Sequence, residues 1–307
     1  MDAIFRNCDF KLLLAFSQLS RHGREVVRIH LRDRFVRLLR KFVTDPSLCI
    51  QFLRDHCGVV SGVGANLYLL AENSVDHRTL EIHLSAEDEP KFKQFLEAEG
   101  YGVLPTRGTY EYWLDHNLNS GGMRIHKVEA FQKGEQRIVI FTSPTSTAIC
   151  SVFSQCCSGA FTFIAADYIF IGYPRLTLAG RAVVNPWRMG NHISQRFLEQ
   201  LRRFSSELFD IAHSSKAWDT HHYCFQTDGC PASNRSSHDS SSLFFDLDSP
   251  CPMSGSKIVH PTFSWRLGGH MCQASTIPRP RVTGECSLEA VPPEDEDRCF
   301  MRTRRFR

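Results

Sequence analysis

No stretch of this chain approaches the roughly 18 uncharged apolar residues that a membrane-spanning helix needs, which argues against a transmembrane span. Nor is a secretory leader expected. Asp2, Arg6, Asp9 and Lys11 interrupt the only early apolar run, Leu12 to Phe16. Charge of one sign is scarce in the balance: +3 over 307 residues, so the whole-chain charge points to no class of partner. The 12 cysteines are scattered and show no close-spaced framework, so reduced thiols in a cytoplasmic or nuclear setting are expected. What is present, 42% hydrophobic and 22% charged residues, suits a globular chain with a sizeable core.

Composition divides the chain into four stretches. Residues 1–56 read as helical and basic: Arg21, Arg24, Arg28, Arg32, Arg34, Arg37, Arg40 and Lys41 alternate with Val27, Leu31, Phe35, Leu38, Leu39 and Phe42 near a 3.6-residue period. "TDPSLCIQFLRDHCG" adds a helix with Thr44 or Asp45 as cap, Pro46 in its first turn and Gly58 past its end.

Residues 57–213 alternate strands and helices. Ser85 and Asp88 resemble a capping box opening a helix that runs through Glu99 and stops at Gly100. "TYEYWLD" reads as a strand. "MRIHKVEAFQ" and "EQRIVIFTS" read as two strands of a hairpin across Lys133-Gly134, and "SPTSTAICSVFSQ" as a capped helix. "DYIFIGYP" is a buried strand stopped by Pro174, and Ser194 to Ala212 a long helix. The expected class is α/β or α+β, a mixed sheet flanked by helices. Residues 214–267 form an irregular extension with one strand, "SLFFDLD". Residues 268–307 read as a disordered tail in which an acidic run adjoins a basic one.

The informative stretch is "VVSGVGANLYLLAENSVDHRTLEIHLS", residues 59–85: a strand, a Ser61-Gly62 turn, an apolar helix and a second strand. It resembles the signature of the nucleotidyltransferase fold of the DNA polymerase beta type. The wider chain, about residues 45 to 235, is similar to a group of uncharacterised fungal proteins on that fold. Their "SGS-x-AL", "DLDIY", "GY", "KGE-x-RI" and "YPRLT" segments align in order with Ser61-Gly62-Val63, Thr79 to His83, Gly100-Tyr101, Lys133 to Ile138 and Tyr173 to Thr177. The resemblance implies a triphosphate held at the turn, at Ser61 and Gly62, and two Mg²⁺ ions on an Asp-x-Asp pair with a third acid on a later strand.

Here Thr79 and Glu81 stand at the aspartate positions, Val63 replaces the second serine, and Arg137 to Phe141 carries no acid. One carboxylate does not supply the charge that two Mg²⁺ ions require. Glu81 is thus a relic candidate, and on a half-exposed strand its bland reading is a solvated surface residue. Ser61-Gly62 likewise reads as a packing turn before a phosphate cradle. No cofactor is expected, and Mg²⁺ only if the chain is an active nucleotidyltransferase that adds an acid such as Glu129 or Glu135 to Glu81.

"DFKLLLAFSQLSRHGREVV", with Asp9, Leu12, Leu13, Leu14, Ser17, Leu19, Ser20, Arg21 and Arg24, resembles the later part of an F-box, without the family's leading Leu-Pro-x-Glu element. That implies contact with a ubiquitin-ligase adaptor through Leu12, Leu13 and Leu14. The alternatives for the basic helix are a packed structural element, which is favoured, and a nucleic-acid or membrane surface, which is not. His221, His222, Cys224 and Cys230, with His238 and Cys251 nearby, lack the tight paired spacing of a zinc site. The adjacent Cys156 and Cys157 read as core. The expected function is therefore recognition of a protein, or of a nucleotide without turnover, by a degenerate nucleotidyltransferase-like domain. The alternatives are an F-box-type substrate receptor and an active Mg²⁺-dependent enzyme.

Overall fold

The computed structural model describes residue 5 and residues 8–70, 77–104, 125–185, 195–218, 223–224, 230, 232–248 and 260–267. The "TYEYWLD" strand and the tail from 268 lie outside these residues.

Within residues 8–58 three helices precede the first strand. Asp9 caps α1 (Phe10–Leu19) by accepting from Leu12 N at 2.8 Å. Ser20 breaks the chain in extended conformation and caps α2 (Arg21–Arg40), accepting from Gly23 N at 2.9 Å. Val27, Leu31, Phe35 and Leu39, four residues apart, form the buried stripe of α2. Asp45 is the cap of α3 (Pro46–Asp55), with Pro46 in the first turn where a missing N–H costs nothing.

A strand–helix–strand unit follows: β1 (Val59–Ser61), α4 (Gly62–Leu70) and β2 (Thr79–Ser85). Next come α5 (Glu89–Ala98), β3 (Gly102–Val103), and the hairpin β4 (Lys127–Lys133) and β5 (Gln136–Ser143). Then follow α6 (Ile149–Val152), β6 (Thr162–Ile164), β7 (Tyr168–Ile171), α7 (Pro174–Thr177), β8 (Arg181–Val183), α8 (Gln195–Glu207) and β9 (Asp210–Ala212). Strands β10 (Arg235–Ser236), β11 (Leu243–Asp246) and β12 (Ser264–Trp265) close the described chain.

Among the described residues the main sheet has eight strands in the order β11-β7-β6-β1-β2-β5-β4-β3. Only β2 and β5 run parallel; every other pair in it is antiparallel. The mixed α/β class expected from the sequence is what the chain adopts.

Several elements differ from expectation for identifiable reasons. Ser85 and Asp88 do bond, Ser85 Oγ to Asp88 Oδ2 at 2.6 Å, but Ser85 ends β2, so the helix starts only at Glu89. "SPTSTAICSVFSQ" yields only the four-residue α6, because Ser143, Thr145 and Thr147 spend their hydroxyls on one another and on nearby backbone. The expected long helix ends at Glu207, and Asp210–Ala212 turns into a strand beside β8. Pro174 opens α7 as well as ending the segment of β7. Leu243–Asp246, assigned by composition to the extension, is the edge strand of the main sheet beside β7.

The sheet's two faces differ in kind. One carries Val60, Leu80, Ile82, Leu84, Ile138, Ile140, Ile164, Ile169 and Ile171, covered by Leu13, Val27, Leu31 and Phe35 of the N-terminal helices and by Phe92 and Leu96 of α5. Tyr68 and Tyr101 tie these layers together, donating to Leu31 O and Phe42 O at 2.7 Å each. The other face carries an aromatic cluster with Phe153, Phe161, Phe163, Phe170, Phe263 and Trp265, and beside it Val128, Ala130, Val139 and Phe141. Between these patches lies a polar strip from alternate residues of β2: Thr79, Glu81 and His83. Among the described residues no helix is long and apolar enough to cross a membrane.

Candidate functional site

The strip is centred where β1 turns into α4. Gly62 has φ +75°, a left-handed conformation that suits glycine. A second constraint is steric: a Cβ at Gly62 would fall 2.9 Å from Glu81 Oε1 and closer still to Cδ and Oε2. Glu81 lies level with Ser61 in the antiparallel β1–β2 pairing, and its carboxylate is folded onto the turn. It is only 7% exposed, so the expectation of a solvated surface glutamate is corrected. The burial is compensated. Arg203 of α8 brings Nη1 to 3.7 Å of Oε1, and the first turn of α4 presents the positive end of its dipole to the acid.

Ser61 is fully buried, and its hydroxyl donates to Thr162 O at 2.7 Å on the neighbouring strand. That hydroxyl is therefore spent on sheet cohesion and does not face a ligand. Asn66, one turn into α4, donates from Nδ2 to Gly62 O at 2.9 Å, while its Oδ1 is buried with no hydrogen-bond partner.

Two histidines flank the acid. His77 precedes β2; its ring lies against the first turn of α4, with Nε2 3.4 Å from where a Gly64 Cβ would stand. Burial, then the nearby Arg203 and Lys41 charges, push its pKa down to about 4. His77 Nε2 has no hydrogen-bond partner. His83, two residues beyond Glu81, is fully buried, stacks on Phe141 at 4.7 Å, and sits with Nδ1 2.7 Å from Ser151 Oγ. Ser151 spends its proton on Ala148 O at 2.8 Å, so His83 donates from Nδ1 and its Nε2 holds the lone pair. Burial pushes His83 down to about 3. Both rings are neutral at physiological pH.

Mg²⁺ does not fit this arrangement. Thr79 starts β2 level with Arg137, and the residue level with Glu81 on the parallel strand is Val139. Among the described residues no three His, Cys, Asp or Glu side chains gather to hold a metal ion. The acids named as possible supplements are elsewhere. Ala130, not Glu129, is level with Val139, so Glu129 leaves the sheet on the opposite face. There it pairs with Lys127 at 2.9 Å and Lys93 at 3.2 Å. Glu135 sits in the exposed hairpin turn, 2.8 Å from Arg78. A cation between Glu81 and Arg203 would also displace a guanidinium already present.

The N-terminal candidates separate by burial. Leu13 is 0% exposed in the main core, Leu14 is half-buried against it, and Leu12 is 57% exposed. Of the three leucines expected to touch an adaptor, Leu13 is corrected to a core residue. The basic stripe of α2 divides too: Arg21, Arg24, Arg37, Arg40 and Lys41 are exposed, and the rest are structural. Arg28 and Arg34 are buried. Arg32 donates to Ala166 O, and Arg54 of α3 donates to Asp167 at 2.6 Å and Asp248 at 2.8 Å. These contacts bolt the helical layer to the end of the sheet.

Of the Cys/His group, Cys224 and Cys230 are reduced and Nε2 of His238 bonds Thr262 Oγ1 at 3.0 Å. His221, His222 and Cys251 lie outside the described residues. Cys156 and Cys157 are buried and reduced, as core packing requires. Cys57 departs from the expectation of reduced thiols: it is disulfide-bonded.

No protein-family model, curated protein or solved structure matches this chain. The resemblance to an Asp-x-Asp strand pointed to Glu81, and alternation along β2 makes His83 its neighbour on one face. Nothing in the sequence marked Arg203 or Asn66: α8 reaches Glu81 only through tertiary folding, and Asn66 meets Gly62 O only once α4 has formed.

Proposed function

We propose that this chain is a non-catalytic recognition module on a nucleotidyltransferase-like scaffold, binding a protein or a nucleotide without turning it over. The observation that carries this reading is the seating of the Glu81 carboxylate on Gly62, beside Arg203, with Val139 level with it on the parallel strand. In that geometry the chain's own acid occupies the helix N-terminus that would otherwise receive phosphate, and the neighbouring strand offers no second carboxylate. Such a module works in the cytoplasm or nucleus and needs no cofactor. The test is direct: purified chain, Mg²⁺ and nucleoside triphosphates should release no pyrophosphate above a protein-free control. Mg²⁺-dependent release that disappears in Glu81→Ala would sink the reading.

A second reading has an observation of its own. Leu12, Leu19 and Ile29 on the α1–α2 hairpin are large, apolar and 57%, 78% and 53% exposed. They favour a protein contact there, of which a ubiquitin-ligase adaptor is the kind the F-box resemblance implies. Leu12→Asp should abolish co-purification with such an adaptor while shifting stability by no more than about 0.5 kcal/mol, since the side chain is outside the core. Co-purification unaffected by Leu12→Asp and Leu19→Asp would remove this reading.

A further inference from the structure

We infer that Glu81 is a resident anion: its carboxylate plugs an oxyanion-binding cradle formed by the first turn of α4 and Arg203, and neutralising it opens that cradle to phosphate. This deepens the non-catalytic reading of the same site and rests on it.

Four features converge. First, α4 is nine residues long and begins at a left-handed glycine, so its first amides are unpaired within the helix and carry the positive end of its dipole. Second, what lies on that turn is already an anion, packed so closely that not even a methyl group fits between. Third, the surroundings are cationic. Arg203 is 3.7 Å from the carboxylate, and Arg203 and Lys41 both bear on His77, whose pKa burial lowers first and these charges lower further.

Fourth, two polar atoms at this turn are buried and have no hydrogen-bond partner, Asn66 Oδ1 and His77 Nε2, in residues 0% and 7% exposed. The Asn66 amide oxygen is an acceptor, and a buried acceptor ordinarily finds a donor. Glu81 cannot supply one, because an ionised carboxylate only accepts. A hydrogen phosphate could, through its P–O–H, while its remaining oxygens accept from Arg203 and the helix amides. The cradle thus suits a protonated tetrahedral oxyanion better than the carboxylate that fills it. Glu81 excludes such a ligand by occupying the space and by charge repulsion, an interaction strong at a few ångströms in a poorly screened interior.

The experiment is isothermal titration with inorganic phosphate and, separately, pyrophosphate into wild type, Glu81→Gln, Glu81→Ala and the double variant Glu81→Ala/Arg203→Ala, each checked by circular dichroism. Wild type should show no saturable binding. Glu81→Ala should bind phosphate saturably, at least about ten-fold more tightly than the weakest affinity the wild-type titration would detect, and the double variant should lose that gain. Glu81→Gln, which keeps the shape and removes the charge, should gain less because the side chain still fills the space. Folded Glu81→Ala with wild-type phosphate affinity overturns the inference, as does a gain that survives loss of Arg203. Saturable phosphate binding by wild type also overturns it, and that arm needs no variant to fold. Failure here leaves the non-catalytic reading standing, because that reading falls only if the wild-type chain releases pyrophosphate.

Discussion

The two faces of β2 form a controlled comparison within one strand. Leu80, Ile82 and Leu84 point into an aliphatic layer roofed by the N-terminal helices. Thr79, Glu81 and His83 point the other way, into a layer where a carboxylate and an imidazole are almost or entirely enclosed. Both faces are buried, yet they stabilise the fold by different means. On the aliphatic side stability scales with area removed from water. On the polar side each buried group must be compensated: Glu81 by Arg203, Ser61 by Thr162 O, His83 by Ser151. On the polar side Asn66 Oδ1, His77 Nε2 and His83 Nε2 have no hydrogen-bond partner, and they adjoin the candidate site.

The largest effect should come from breaking the aliphatic side. Leu13→Asp buries an unpaired charge in the main core and should cost more than about 4 kcal/mol, abolishing cooperative urea unfolding at neutral pH. A near-native transition in that variant would mean that the helical layer does not close this face.

A smaller effect sharpens the polar side through pH. His77 and His83 have native pKa values near 4 and 3, below the ordinary 6.5. Below pH 6.5 the unfolded chain therefore takes up protons that the folded chain refuses. Stability is complete above that pH and falls as pH drops through the native values, by up to about 1.4 kcal/mol per unit per histidine. Urea midpoints measured from neutral pH downward should fall accordingly, and His83→Phe should flatten the slope. A midpoint independent of pH across the upper part of that window would contradict the burial of both rings. The smallest effect is Ser61→Ala, which removes one buried hydroxyl donor to Thr162 O and should cost about 1 kcal/mol. If phosphate binding changed instead of stability, the hydroxyl would belong to the site and not to the sheet.

Much of the framework could be read from residues alone, where local signals act. Asp9, Ser20 and Asp45 cap the helices that they precede, and the spacing of Val27, Leu31, Phe35 and Leu39 set the buried side of α2. Reading failed where a local preference met a competitor. The hydroxyl-rich stretch from Ser143 to Thr147 looked like a helix cap and became a self-bonded loop. Leu12, Leu13 and Leu14 looked alike as a contact motif, whereas helix geometry sends one to the core and one to solvent. Of the eight basic residues around α2, Arg28 and Arg32 are drawn inward by Asp248 and by backbone carbonyl oxygens more than 100 positions away, whereas Arg21, Arg24, Arg37, Arg40 and Lys41 stay exposed.

What the amino-acid order determined by itself was the alternation of elements, the turn at Ser61-Gly62, and the shortage of acids at Thr79, Val139 and their neighbours; these depend on propensity, capping and residue identity within a few positions. Only the tertiary structure decided that Glu81 is enclosed on Gly62 and paired with Arg203, that Glu129 leaves by the opposite face, and that β11 joins the main sheet. Those outcomes depend on strand register and on contacts between residues distant in sequence, where a shift of one position exchanges the two faces of a strand.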